Sequence, residues 1–363
     1  MTGRVGYNRS MAETETEEKV SGKIGELNLD QIYLMDCLEG MKKLPDNSVD
    51  AVITDPPYWL GSHFSIDEKG QYVGTTFDIV NSWRVGDGYW MEKVMSEIHR
   101  VLKFGGYCLM FSIDRFVDLP MHNARRVGFD VAQSIYWKFE QGLPKGIDTR
   151  KRIEALIFQG NASTRALRVQ EYANSTGTEI EVMAGSNGFI RNVELRKRKV
   201  DTQPMTEIGH QFEGTKYGLA TFAPQIEVIC VFRKKNKTGS YAGDIVASKT
   251  DNEIHPSVVN TGLIKDREGT FPAQLIIEAG KPRGEEKVGN DHPTVKPLSL
   301  MSKLVELFTM PGQVVLDPFI GSGTTAVACV PLERRYLGFE IDEKYYKICE
   351  KRLEKTNDKV RLF

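Results

Sequence analysis

The sequence predicts an α/β protein: a doubly wound, mostly parallel sheet with a polar lobe inserted into it. Three observations carry that prediction. Short apolar runs alternate with amphipathic stretches from Leu29 to Phe116, and again from Lys296 onward. Strand–helix alternation of this kind winds into a parallel sheet with helices on both faces. Two of the apolar runs stop at an Asp-Pro step, Asp55-Pro56 and Asp317-Pro318. Between the alternating regions, residues 145–290 are polar, rich in Gly, Asn, Thr and charge, and only weakly periodic. That stretch is too long for a plain loop in a compact domain.

Taken in order, Ile32-Tyr33-Leu34 reads as a strand, Leu38 to Leu44 as a helix and Asp50 to Thr54 as a strand. Trp90, Val94, Ile98, Val101 and Leu102 recur at helical spacing, and Gly105-Gly106 is expected to break that helix ahead of a strand from Tyr107 to Phe111. Two strand-like islands lie in the polar region, Ile226 to Phe232 and Ala273 to Ile277. Met301, Leu304, Val305 and Phe308 share one helix face; Val314-Val315-Leu316 is a strand, Thr324 to Val330 a small-residue helix and Tyr336 to Phe339 a strand. A helix from Glu343 to Leu353 follows, with Tyr345, Cys349 and Leu353 inward and Asp342 as its N-cap.

Composition bounds the function. The 363 residues suffice for one large domain with a lobe, or for two domains. No apolar run approaches the ~20 residues of a transmembrane helix, and no apolar signal core opens the chain, so the expected location is the cytoplasm, with no membrane partner. The N-terminal residues 1–25 are polar, with four glutamates from Glu13 to Glu18, and are expected to be disordered. The five cysteines are scattered and form no C-x-x-C pair, and the histidines show no ligand spacing. Reduced thiols and no metal site are therefore expected. Net charge is −1, but residues 145–290 carry 22 Lys and Arg against 18 Asp and Glu. Clusters at 150–152, 196–199 and 233–237 suggest a phosphate-contacting lobe, although each alone also reads as a solvated face.

Asp55-Pro56-Pro57-Tyr58 is the most informative motif. Prolines donate no N–H and push the preceding residue out of the α region, so the strand must stop there and the Pro56 carbonyl loses its ladder partner. A carboxylate and a free carbonyl beside an aromatic ring suit a planar amino group that must be held and polarised, such as the exocyclic NH2 of a nucleobase. An ordinary Pro-Pro turn would look the same in isolation. The second motif, Val314 to Thr325, is a strand, a tight glycine loop and a helix start. Glycines let the backbone approach a ligand closely. Glu340 follows Asp317 by 23 residues, a separation that suits a ribose hydroxyl pair. The loop is shorter than G-x-G-x-x-G and lacks a P-loop lysine, so it fits a nucleoside without phosphates better than NAD or ATP.

In these motifs the chain resembles the S-adenosylmethionine-dependent DNA amino-methyltransferases, in the permuted β-type order with the catalytic motif ahead of the cofactor loop. The resemblance spans roughly residues 29–355. It implies a seven-stranded, Rossmann-like sheet, S-adenosyl-L-methionine as cofactor and double-stranded DNA as partner, with a homodimer plausible on the same ground. Asp55, Pro56, Pro57 and Tyr58 match the catalytic motif, and the resemblance puts Asp55 among the cofactor contacts as well. Asp317, Pro318, Phe319, Gly321, Ser322, Gly323 and Thr324 match the cofactor loop, and Glu340 and Ile341 the ribose-binding segment. Thr294 and Lys296, in His292 to Pro297, match the segment contacting the methionine part. Asp36 and Cys37 match the segment facing the adenine. Asp36 also reads as a helix N-cap. The implied domains are a catalytic half over 26–145, a target-recognition lobe over 146–290 interleaved with sheet strands, and a cofactor half over 291–363.

The implied reaction is methylation of adenine N6 in DNA. Cytosine N4 is the nearest rival, because the geometry serves either amine. A non-catalytic DNA-binding protein with a vestigial cofactor fold is the alternative from another class. A base inside a duplex cannot reach such a pocket and must be flipped out. Recognition residues are expected in 160–215 and 234–270, without a choice among them.

Overall fold

The computed structural model describes residues 22–57, 64–66, 72–74, 90–114, 117–139, 147–157, 207–217, 225–256, 258–265, 270, 272 and 274–361. The chain forms two compact units: one contains the segments up to Glu140 and from Ile226 onward, the other spans Gln141–Gln225. The lobe expected over 146–290 is therefore shorter at its end, because 226–290 packs into the first unit.

The first unit is organised by one sheet. Its strands are β1 (Gln31–Leu34), β2 (Val49–Thr54), β3 (Leu102–Ser112), β4 (Asp130–Val131), β5 (Ile135–Lys138), β6 (Ile226–Arg233), β7 (Ile276–Glu278), β8 (Val314–Asp317) and β9 (Arg335–Glu340). Their order is β7-β5-β6-β3-β2-β8-β9-β1, with β4 also on β6. Strands β1, β9, β8, β2 and β3 are mutually parallel. Only β6 runs against them, and it is antiparallel to both β3 and β5. The sheet thus has nine strands where the resemblance implied seven; the two-residue β4 and the three-residue edge strand β7 account for the difference.

Every residue of β2 is buried, as expected for a central parallel strand covered on both faces. Alternate residues enter two hydrophobic clusters: Val52, Cys108 and Leu316 face one, Ile53, Leu109 and Val315 the other. Helix α2 (Trp90–Val101) covers the first face with Val94, Met95 and Ile98. Helix α4 (Leu298–Phe308) covers the second with Leu300, Met301, Leu304 and Val305. Helices α1 (Cys37–Met41), α3 (Asp118–Val127), α5 (Thr324–Cys329) and α6 (Glu343–Arg361) lie in other connections, and Tyr241–Ala247 is a further short helix after β6.

Most sequence boundaries shift by a residue or two. One differs in kind. Gly105-Gly106 does not break the helix; α2 ends at Val101 and β3 begins at Leu102. The glycines lie inside β3 at a register shift against Val49 and Ala51, where Gly105 N–H donates to the Lys234 carbonyl at 3.1 Å. A bulge, which glycine also favours, has replaced the expected turn. Residues 23–25, expected within the disordered tail, are ordered: Lys23–Ile24 pairs with Leu27–Asn28 in a small hairpin.

The cluster Arg233-Lys234-Lys235 with Lys237 is also reassigned. Arg233 and Lys234 are buried. Lys234 Nζ donates to Asn47 Oδ1 at 2.7 Å and to the Leu102 carbonyl at 2.8 Å, and burial lowers its pKa to about 8. Lys237 pairs with Asp251 and Glu253. These charges tie the β6 end into the fold; of the four, Lys235 remains exposed and outside these pairs. The 196–199 cluster lies outside the described residues.

In the second unit, Ile147–Asp148 pairs antiparallel with Lys216–Tyr217, next to helices Thr149–Ile157 and Glu207–Gln211. No helix among the described residues is long and apolar enough to cross a membrane.

Candidate active site

Asp36, Glu340, Asp317 and Asp55 stand at or just beyond the carboxyl ends of β1, β9, β8 and β2, which are consecutive neighbours in the sheet. Ligands of open α/β sheets bind beyond that edge. Three strand spacings separate the ends of the row, about 14 Å.

Thr54, the last residue of β2, donates its hydroxyl to Asp317 Oδ1 at 2.7 Å. Asp317 Oδ1 also accepts the Phe319 N–H at 3.1 Å, and Oδ2 accepts the Thr325 hydroxyl at 2.6 Å. Burial raises the Asp317 pKa to about 6 against these three donors. Its carboxylate, expected at the cofactor, is instead turned inward and holds the glycine loop to the catalytic strand.

Asp55 is divided in its bonding. Its Oδ2 accepts from Lys296 Nζ at 2.6 Å. Its Oδ1 is buried and has no hydrogen-bond partner among the described residues. Such an orphan costs about 1–3 kcal/mol until a donor reaches it. Lys296, 7% exposed, also lies 3.4 Å from Glu227 Oε2 and sits over the rings of Phe111 at 4.8 Å and Trp137 at 5.9 Å. Burial works against its charge, yet Asp55 and Glu227 outweigh it and hold its pKa above the ordinary lysine value. Glu227 lies above the usual carboxylate range through burial, which Lys296 opposes and Asp55 reinforces.

The glycine loop is tight. Gly321 and Gly323 adopt φ +53° and +83°. A Cβ on Gly321 would meet His292 Nε2 at 2.9 Å, and one on Gly323 would run into Cys349 Sγ. His292 in turn packs edge-on to Tyr345, with centroids 4.4 Å apart. Arg352 Nη1 donates to the Ser322 carbonyl at 2.5 Å and to the Thr324 hydroxyl at 3.1 Å, while Asn290 Nδ2 donates to Ser322 Oγ at 3.1 Å. Ser322 and Thr324 are thus inward, and Pro318 is buried with them. Phe319 stays partly open and packs on Trp90 at 5.8 Å.

At the next strand, Glu340 Oε1 accepts the Asp342 N–H at 2.8 Å, and burial raises its pKa. Ile341 beside it is 43% exposed, and Leu34, opposite Glu340 in register, is 45% exposed. Two bare apolar side chains next to a carboxylate suit a flat ring joined to a hydroxylated group. Asp36 caps α1, its Oδ1 accepting the N–H of Leu38 at 2.8 Å and of Glu39 at 3.3 Å. Cys37 is buried in the core, which leaves only its main chain for a ligand. Thr294 is exposed, its N–H donating to His292 Nδ1 at 3.3 Å. Asp342 caps α6 through Lys344 and Tyr345, as expected.

The structure therefore brings Asp55, the 292–296 segment, the glycine loop and Glu340 to one sheet edge. Tyr58 lies outside the described residues. Sequence reasoning missed Glu227, Trp90, Asn290 and Arg352 as parts of the site. Glu227 left a signal: alternation along β6 puts this acid on the face of Ile229 and Val231, which are buried.

The edge offers an acid at a strand end, two exposed apolar side chains, and a carboxylate oxygen with no partner among the described residues. Comparison with known proteins shows what the chain is similar to. The profile of the N6/N4 methyltransferases, described as DNA methylase, matches residues 49–351. Over 355 residues the chain is 25% identical to the type II methyltransferase M.HindIII of Haemophilus influenzae, spanning 91% of this chain and 97% of that protein. It is 24% identical over 325 residues to the DNA adenine methyltransferase YhdJ of Escherichia coli, spanning 88% of this chain and 81% of that one. Among solved structures, the M1.HpyAVI–SAM complex aligns with a TM-score of 0.48 and 22% identity, covering 89% of this chain and 98% of that chain.

Proposed function

This chain belongs to the N6/N4 DNA methylase family, whose methyl donor is S-adenosyl-L-methionine, and from that premise we propose that it methylates the exocyclic N6 of a flipped-out adenine within a short sequence of duplex DNA. The observation that carries the reading is the divided bonding of Asp55: Oδ2 is fixed by Lys296, and Oδ1 is a buried acceptor without a donor among the described residues.

An aryl amine is a poor nucleophile because its lone pair is delocalised into the ring. Asp55 Oδ1 and the Pro56 carbonyl accept its two N–H bonds, which favours a pyramidal nitrogen with a localised pair. Bound cofactor supplies an electrophilic sulfonium methyl at the same edge. Asp55 needs no prior deprotonation of the amine, since the nitrogen becomes acidic only once alkylated, and then takes up the released proton. Fixed geometry and fixed charge supply the acceleration. Glu340 addresses the ribose, Leu34 and Ile341 flank the adenine ring, and Asp36 offers its second oxygen to the adenine edge. Thr294 faces the methionine part, and Tyr58 stacks on the target base. Asp317, Gly321, Ser322, Gly323 and Thr324 shape the turn from behind, with Phe319 and Trp90 as its open side.

Transfer of a tritiated methyl group to genomic DNA, followed by mass spectrometry of the nucleosides, tests the proposal. N6-methyladenine supports it, N4-methylcytosine replaces the substrate while keeping the chemistry, and absence of product from a cofactor-binding protein removes it.

A further inference from the structure

Lys296, which is buried, and the partly buried Glu227 and Asp55 form a trio whose parts come from three distant places in the chain. Asp55 follows β2, Glu227 lies in β6 opposite Trp137, and Lys296 immediately precedes Pro297, the N-cap of α4. The Lys296 ammonium touches one oxygen of each carboxylate, at 2.6 and 3.4 Å, above two aromatic faces. Both neighbouring rings, Phe111 and Trp137, are themselves buried. From the resemblance alone Lys296 was a contact to the cofactor carboxylate. A further carboxylate brought to this ammonium would meet two already there.

We infer that Lys296 and Glu227 are positioning residues for Asp55: Lys296 fixes the Oδ2 side so that Oδ1 points to the reacting amine, and Glu227 gives the trio a net negative charge. The inference rests on the methyl-transfer reading above. Its physical basis is twofold. Two carboxylates held near each other without a cation share a proton, and a protonated Asp55 is a poorer acceptor. Two carboxylates and one ammonium carry a formal charge of about −1, which opposes the positive charge that grows on the amine during transfer. A buried lysine paired to a single carboxylate would be neutral and would lack that effect. Among the described residues, the other ionisable groups facing the trio are His292 and Asp317 towards Asp55, and Lys281 towards Glu227.

The test uses the full chain with four variants, Lys296→Met, Glu227→Gln, the two combined, and Lys296→Arg. For Lys296→Met the expected result is a fall in kcat of about 100-fold or more, with the cofactor dissociation constant, read by calorimetry, moving less than about threefold. For Glu227→Gln a fall in kcat of about tenfold is expected, with KM for DNA little changed and a flatter acid limb in kcat against pH. Lys296→Arg should recover part of the loss. A second readout needs no activity. Removing Lys296 alone strands two partly buried carboxylates and should lower Tm by about 5 °C or more, and adding Glu227→Gln should return part of that loss. A tenfold or larger rise in the cofactor dissociation constant at unchanged kcat would return Lys296 to the cofactor and overturn the inference. So would additive Tm losses. A wild-type chain that binds cofactor but methylates nothing would instead overturn the functional reading, leaving the Tm coupling to be judged separately.

Discussion

The hydroxyl of Thr54 and the carboxylate of Asp317 meet at 2.7 Å although 263 residues of chain separate them. That bond joins the strand presenting Asp55 to the turn that would carry the methyl donor. Donor and acceptor groups can be set against each other with this precision because β2 and β8 are neighbours, pairing Ala51 with Val315 and Val52 with Leu316. Thr54→Val keeps the shape and deletes the donor. It should cost about 1–2 kcal/mol of stability and lower methyl transfer at the same time, read by urea denaturation and by initial rates. Lost stability with unchanged rate would mean that the bond supports the fold and not the register of the two motifs.

Asp317 makes a prediction about pH. Its pKa is raised to about 6, from an ordinary 3.8, by complete burial. The folded chain therefore holds this proton up to about pH 6, whereas the unfolded chain releases it near 3.8. Between those values the folded state binds more protons, so this group makes stability fall as pH rises. In Asp317→Asn that contribution disappears, and the stability difference between wild type and variant should drift across about pH 4 to 7. Parallel urea midpoints over the interval would contradict the assignment.

Asp55→Ala should lower methyl transfer by at least about 10²–10³-fold. Cofactor affinity should stay within about threefold. Because the change also leaves Lys296 with one carboxylate, Asp55→Asn is the gentler companion, and both should show the same split between rate and binding. Calorimetry with cofactor alone decides the matter; lost binding would place Asp55 in the cofactor site.

Two glycines with nearly the same backbone separate strain from packing. Gly312 and Gly323 have φ +81° and +83°; a Cβ finds open space at the first and Cys349 at the second. Gly312→Ala should cost about 1–2 kcal/mol from the left-handed conformation alone. Gly323→Ala should cost about 1–3 kcal/mol more. Equal thermal shifts in the two variants would show that the loop yields freely around Cys349.

Much of this architecture is legible in the sequence. Alternation at periods of two and 3.6 marked β1, β2, β8, β9, α4 and α6 to within a few residues at most ends, because burial on a sheet or helix face is imposed at every turn of chain. The Asp-Pro steps and the Gly321-Ser322-Gly323 turn were visible because their backbone requirements are local. Gly105-Gly106 was misread, since a bulge and a helix stop ask for the same residue, and only pairing with Val49 and Ala51 distinguishes them.

The sequence by itself determined the fold class, the family and the two chemical motifs, all of which rest on residues close together in the chain. Tertiary structure alone decided where the charges went. It turned Arg233 and Lys234 into the interior, made Asp317 a brace, and set Lys296 on Asp55 across 241 residues with Glu227 beside them. The reason is physical: an ion pair depends on strand order and on desolvation, and neither is written in the local pattern of a chain.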